Sequence, residues 1–123
     1  MSDDRSFPKK HRLHVPSEID CVRKKGKRFL VTPLIVYSMS NGLVYPRLAI
    51  ALTRRCGTSP TRSYIRRRIR EFFRHNKTGL AGLDLFIFSN RDLSKLKRDD
   101  WTGVIGKLES LLISQKLEVK SKK

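Results

Sequence analysis

The apolar pattern of the chain predicts an α+β domain, a small sheet packed with helices in the order α-β-β-α-β-α. Three observations carry that expectation. Short runs rich in β-branched and aromatic residues (LIVYSMS, LAIALT, LDLFIFS) are bounded by Asn, Gly, Ser or Pro, as strands are. Two longer runs, RSYIRRRIREFFRH and DDWTGVIGKLESLLISQ, carry their apolar residues at helical spacing. The 123 residues suffice for one modest core and leave no room for a second domain.

Residues 1–12 and 116–123 are polar and basic without apolar period, and read as mobile tails around a domain at 13–115. In VPSEIDCVRKKGKRF, Ser17 can cap after Pro16, Ile19 and Val22 share a face, and Gly26 offers a stop, which makes a short first helix. Next, Asn41-Gly42 is the strongest short hairpin signal available and predicts paired strands at about 34–39 and 47–53. RRCGTSPTRS is then a turn into a helix over 62–75, closed by His75, Asn76 and Gly79. Gly82 opens a strand at about 83–89. Finally, Asp99 or Asp100 can cap a last helix, whose Trp101, Val104, Ile105, Leu108, Leu111 and Leu112 form a core stripe. No repeat is present.

The 62–75 helix raises the functional question. Wound at about 100° per residue, it gathers Ile65, Ile69, Phe72 and Phe73 on one face and Ser63, Arg66, Arg67, Arg70 and Arg74 on the other. A solvated face usually alternates signs, whereas here only Glu71 interrupts the positive charge. Like charges so close call for an anionic partner. The whole chain repeats the message, with 28 Lys+Arg against 11 Asp+Glu, a net charge of +17 and a pI near 10.7. Nucleic acid is the commonest target of that footprint.

A membrane is excluded as the partner by length, since the longest apolar region, FLVTPLIVY, falls well short of the roughly 20 residues of a spanning helix. MSDDRSFPKK is no secretory signal, and the widely spaced Cys21 and Cys56 form neither a zinc motif nor a disulfide framework. A reducing, cytoplasmic setting suits them, with Cys56 a small apolar filler.

No catalytic constellation stands in the sequence. His11, His14 and His75 have no carboxylate or cysteine at ligand spacing, and Asp99-Asp100 is explained by helix capping, so both the catalytic and the metal-ligating sets are expected to be empty. What recurs is arginine in special geometry. Arg54 and Arg55 close a strand, Gly57 permits a tight approach, and Arg62 starts the next helix, a turn that can offer guanidinium forks and backbone N–H groups to phosphate. With the Arg66, Arg70 and Arg74 row it makes a basic track, which fits a long folded nucleic acid better than a small phosphorylated ligand.

These residues, TRR, then CGTSPT, then RSYIRRRIREFFR, resemble the bacterial ribonuclease P protein component, whose pattern there is a basic step, a K-x-G turn and an RNR-x-K-R-x-I-R-E helix. The resemblance runs from about Leu13 to Leu112 and takes in the first helix ending in KKGK and the G-x-D strand. Ser63 and Tyr64 depart from the family's Asn-Arg pair, Ser59 and Pro60 from its small-aliphatic pair, and Arg23 from a common aromatic.

The resemblance implies a ribosomal-protein-S5-domain-2-like sandwich with a left-handed βαβ crossover. It implies a subunit of the ribonucleoprotein endoribonuclease that removes the 5′ leader of precursor tRNA, with catalysis and Mg²⁺ held mainly by the RNA subunit. Its partners are then ribonuclease P RNA and precursor tRNA, with no membrane and no small-molecule substrate. Carried over by position, Arg54, Arg55, Gly57, Arg62, Ser63, Tyr64 and Arg67 contact the RNA subunit, while Ile19, Ile35, Tyr37, Ala51, Arg66 and Arg70 hold the leader. The main alternative is a ribosomal or ribosome-assembly protein that binds rRNA without a nuclease role. A helix-turn-helix DNA reader is disfavoured because arginines run the length of the helix, and a protein-only nuclease because it needs metal-ligating carboxylates.

Overall fold

Strand β4 (Leu83–Ser89) is buried along nearly its whole length because it lies between two other strands. The computed structural model describes residues 11–121. Its sheet has the order β1-β2-β4-β3, where β1 is Lys27–Val31, β2 is Leu34–Ser40 and β3 is Arg47–Leu52. β2 runs antiparallel to both β1 and β4, and β3 runs parallel to β4. A 3₁₀ turn at Arg54–Cys56 and helix α2 (Ser59–His75) carry the chain from β3 across to β4.

The expected hairpin between the second and third strands does not form. Asn41-Gly42 does turn the chain: Gly42 has φ 70°, and the Asn41 side chain accepts from Leu43 N at 2.8 Å and donates to the Tyr45 carbonyl at 3.2 Å. β4 then enters between the two strands, so each pairs with it instead of with the other. The actual hairpin is β1–β2, joined by Thr32 and Pro33 across a cis bond. The sequence reading had no β1, whose outer positions are mostly exposed and so show no clean alternation.

Period two in the paired strands puts opposite residues on opposite layers. Leu34, Val36, Leu48, Leu52, Leu85 and Ile87 face α2 and the last helix, α4 (Arg98–Ser121). Ile65, Ile69, Phe72 and Phe73 of α2 are all buried, as its spacing requires, and each such side chain stabilises the fold by roughly 1.5–3 kcal/mol. From α4, Trp101, Leu108 and Leu112 are buried, while Val104, Ile105 and Leu111 are partly so. A short helix, α3 (Lys77–Leu80), adds Leu80 to this core. Cys56 is fully buried and donates from Sγ to the Ser89 carbonyl at 3.1 Å, a filler as expected.

Several boundaries differ from the sequence reading. α2 begins at Ser59, with Pro60 in its first turn and Thr58 as the cap whose hydroxyl accepts from Thr61 N at 3.4 Å. In α4 the carboxylate of Asp100 reaches back to Lys97 N at 2.9 Å, so it works from inside the first turn. That helix runs to Ser121, into the stretch read as a tail. His11 and Arg12, also counted with a tail, join the fold: the His11 ring bonds the Pro46 carbonyl at 2.8 Å, and Arg12 bridges to Leu48 beside β3.

The second face of the sheet carries Tyr37, Met39, Ala49, Ala51, Phe86 and Phe88, only partly covered by helix α1 (Pro16–Lys25) and Leu13. Val15, not Ser17, sits at the cap of α1, with no side-chain bond. Its end needs Gly26 for proximity, since a Cβ there would lie 2.5 Å from the Val22 carbonyl and 2.7 Å from that of Ser38. One corner of this face is polar. Asp84, nearly fully buried, receives Arg47 Nε at 2.9 Å, Arg47 Nη2 at 2.7 Å and Asn41 Nδ2 at 2.9 Å, and Arg47 Nη1 also reaches Glu18 of α1 at 3.2 Å. Among the described residues no helix is long and apolar enough to cross a membrane.

Candidate nucleic-acid interface

Because α1 covers the sheet only in part, a groove of about 430 Å³ remains between them. Its floor is Tyr37, Ala51, Phe86 and Phe88, and its wall is Pro16, Ile19, Asp20 and Arg23 of α1. Register explains the floor: Tyr37 pairs with Phe86, and Phe88 lies between Ile35 and Ala51, so three strands bring these side chains to one surface. The Tyr37 and Phe86 rings stack with centroids 5.8 Å apart. Tyr37 and Phe88 keep part of their surface open while Phe86 is buried, so the floor offers a partial π surface to flat ligands such as nucleobases.

Of the positions expected to hold the leader, Ile19, Tyr37 and Ala51 come together in this groove. Ile35 shares their face but lines an adjoining depression with Arg28, Leu30 and Arg91. Arg66 and Arg70 stand outside the groove, on the α2 side of β3. They meet Arg12 there: partial burial and the like charges of Arg12 and Arg66 push Arg70 below the usual arginine range. Leu13 N donates to the Leu48 carbonyl at 2.9 Å, so the segment carrying Arg12 is fixed along β3. Arg12, Arg66 and Arg70 therefore form a cluster of like charges beside β3.

Sequence reasoning missed Phe86, Phe88 and Arg12. The alternation of Phe86 and Phe88 with Leu85 and Ile87 was the available signal for the first two, because it puts both rings on one face. Nothing local marked Arg12, which depends on pairing with a strand 36 positions later.

The turn before α2 forms the second cluster. Arg54 and Arg55 are exposed on the 3₁₀ turn, and Gly57 has φ 145°, a conformation other residues rarely adopt. Arg62 folds back over this turn, donating from Nε to the Gly57 carbonyl and from Nη2 to Ser59 Oγ, each at 3.3 Å. Ser63 is exposed. The Tyr64 ring packs partly against the core and lies 5.4 Å from the Arg67 guanidinium and 5.8 Å from that of Arg68, while its hydroxyl accepts from Arg68 Nη1 at 2.7 Å. Arg68 also donates to Thr102 of α4 at 3.2 Å, so Tyr64 ties two arginines to the body.

A family model described as Ribonuclease P matches residues 7–113 of the chain. The chain belongs to the ribonuclease P protein family. It is 31% identical to the ribonuclease P protein component of Petrotoga mobilis over 118 residues, 94% of this chain and 98% of that one. With the Thermotoga maritima ribonuclease P protein component it shares 33% identity over 109 residues, 87% of this chain and 93% of the relative. The solved structure of the T. maritima RNase P protein in complex with 1-(4-fluorophenyl)-2-thiourea superposes with a TM-score of 0.72 at 32% identity, covering 83% of this chain and 97% of that one. A Staphylococcus aureus RNase P protein mutant with defective mRNA degradation activity shares the fold, with a TM-score of 0.74 at 23% identity over 88% and 90% of the two chains. This ribonuclease P protein thus has the α+β architecture expected of it, with four helices around a four-stranded mixed sheet.

Proposed function

We propose that this ribonuclease P protein binds the catalytic RNA subunit through the Arg54–Arg67 cluster and holds the single-stranded 5′ leader of precursor tRNA in the α1–sheet groove. The observation that carries this reading is the pairing of a partly open aromatic floor with a guanidinium cluster beside β3, the strand that supplies Ala51 to that floor. Bases of an unpaired strand can lie on Tyr37 and Phe88 while its phosphates meet Arg66, Arg70 and Arg12. Such contacts ask little of sequence, which serves an enzyme with many precursors.

The second cluster suits a folded RNA. Arg54, Arg55 and Arg62 offer forked donors around one glycine turn, and Arg67 and Arg68, held against Tyr64, extend them along α2. Neutralising phosphates there releases counterions and lets the two RNAs approach with less repulsion.

The phosphodiester hydrolysis itself belongs to the RNA subunit with Mg²⁺. Among the described residues no three His, Cys, Asp or Glu side chains stand together as a metal site. The role is assistance by binding, in a ribonucleoprotein working in the cytoplasm.

Reconstitution tests it. Added to a bacterial ribonuclease P RNA at low Mg²⁺, the protein is expected to promote release of the 5′ leader from precursor tRNA and to show no cleavage alone. A protein that never helps the RNA would move a ribosomal-type role ahead, and cleavage without RNA would overturn the assignment of chemistry.

A further inference from the structure

Tyr64 stands in the arginine helix where the family pattern has an arginine, and two arginines of this chain close around it. Its ring packs partly against the core, while the guanidiniums of Arg67 and Arg68 lie 5.4 and 5.8 Å from the ring centroid. A long side chain on a helix leans toward the N-terminus and covers the turn before its own Cα, so residues three and four places on reach back over position 64. Arg68 does this most fully. Its Nη1 donates to the Tyr64 hydroxyl at 2.7 Å and its Nη2 to Thr102 Oγ1 of α4 at 3.2 Å, so the fork is held at both prongs. The Thr102 hydroxyl in turn donates to the Arg98 carbonyl at 3.2 Å, which leaves its lone pairs for Arg68.

Both partners of Arg68 are neutral hydroxyls, which orient the guanidinium without cancelling its charge, and a guanidinium has five N–H groups, so some are left for phosphate oxygens. On its other flank Arg68 shares a notch with Glu71 and Glu109, where an anion is repelled, so a phosphate approaches from the side of Tyr64 and the exposed Arg67. The family pattern fixes no residue at position 68, yet this chain places an arginine there while lacking one at 64. We propose that Tyr64 is a positioning residue for the RNA subunit, and that Arg68, held by its hydroxyl, is the phosphate-binding residue that replaces an arginine at 64. The charge has moved one helical turn along the chain and returns, through the lean of its side chain, to the same place. The inference rests on the Arg54–Arg67 cluster being the RNA-subunit site.

The experiment titrates a bacterial ribonuclease P RNA with the full chain and its variants, at a temperature where each variant is folded, and reads affinity and its slope against log salt. Arg68→Gln keeps a donor toward Tyr64 and removes the charge; it is expected to weaken binding about tenfold and to flatten the slope by about one unit. Tyr64→Phe keeps the ring, loses the hydroxyl and should cost about threefold, the effect of one modest hydrogen bond. In Tyr64→Phe/Arg68→Gln the hydroxyl has no charge left to place, so the double variant should bind like Arg68→Gln alone. Tyr64→Arg/Arg68→Gln puts a guanidinium back at 64 and should recover the native affinity and slope, which a mere support of helix packing would not do. Native affinity and slope in Arg68→Gln, or no recovery in the exchanged variant, would overturn the proposal. Arg54→Ala/Arg55→Ala separates it from the reading beneath: weakened binding there with an unaffected Arg68→Gln sinks only the exchange, whereas native binding in both sinks the RNA-subunit site as well.

Discussion

Arg47 and Asp84 form a largely buried, two-pronged ion pair at the polar corner of the sheet face under α1, and removing one partner should cost far more than removing both. In Arg47→Met, Asp84 loses two charge-assisted hydrogen bonds, at 2.9 and 2.7 Å, and keeps only the one from Asn41. At about 1.5–3 kcal/mol for each such bond the loss is about 3–6 kcal/mol, which agrees with the roughly 3–5 kcal/mol typical of a buried charge left unpaired. For a chain of this length that is a fall in Tm of roughly 10–20 °C. In Arg47→Met/Asp84→Leu no charge is left behind, and the double variant should recover most of the deficit. Urea denaturation of the native chain, both single variants and the double variant closes the cycle. A single variant that loses less than about 1 kcal/mol, or a double variant no better than Arg47→Met, would refute this account of the pair. Arg47 also anchors Glu18 of α1, so even the stable double variant should bind leader-bearing tRNA more weakly.

Arg66→Ala and Arg70→Ala should each weaken binding of precursor tRNA and flatten its dependence on log salt by about one unit; unchanged slopes would remove these residues from the phosphate path. Arg62→Ala should loosen the Gly57 turn and weaken assembly with the RNA subunit more than binding of the leader, as separate titrations of the two RNAs would show. Gly26→Ala should destabilise the fold, because backbone carbonyls at 2.5 and 2.7 Å leave no room for a Cβ; a Tm equal to that of the native chain would contradict the packing. The Asp20 carboxyl, held down by Arg23 and Lys24, should titrate below the usual carboxylate range in an NMR titration, so that its support of α1 is complete at neutral pH and disappears only as pH falls through that lowered value.

What the sequence revealed was local. The two faces of α2 follow from a 3.6-residue period, and Ile65, Ile69, Phe72 and Phe73 are buried as that period demands. The stripe on α4 and the extent of β4 were legible for the same reason. Pairing was not. Asn41-Gly42 makes a turn as its chemistry dictates, yet whether the flanking strands meet is decided by β4, some forty residues later. The candidate site divides in the same way: the arginine positions and Tyr37 were proposed through the family pattern, whereas Phe86, Phe88 and Arg12 acquire their places only through sheet register. Tyr64 shows a further limit, since its ring could equally have faced RNA, and only the packing of Arg67 and Arg68 around it settles its contacts in the free protein.

The insertion of β4 between β2 and β3 also sets an order on the birth of the molecule. As the chain leaves the ribosome, Tyr37 and Ala51 emerge well before Phe86 and Phe88, so the groove has two banks and no bed until residue 89 is out. Until then β2 and β3 each hold an unpaired edge toward the same vacant slot, the kind of edge that invites a foreign strand. The arginines of α2 are already outside by that time. The nascent protein is therefore a polycation before the aromatic floor that closes its sheet exists.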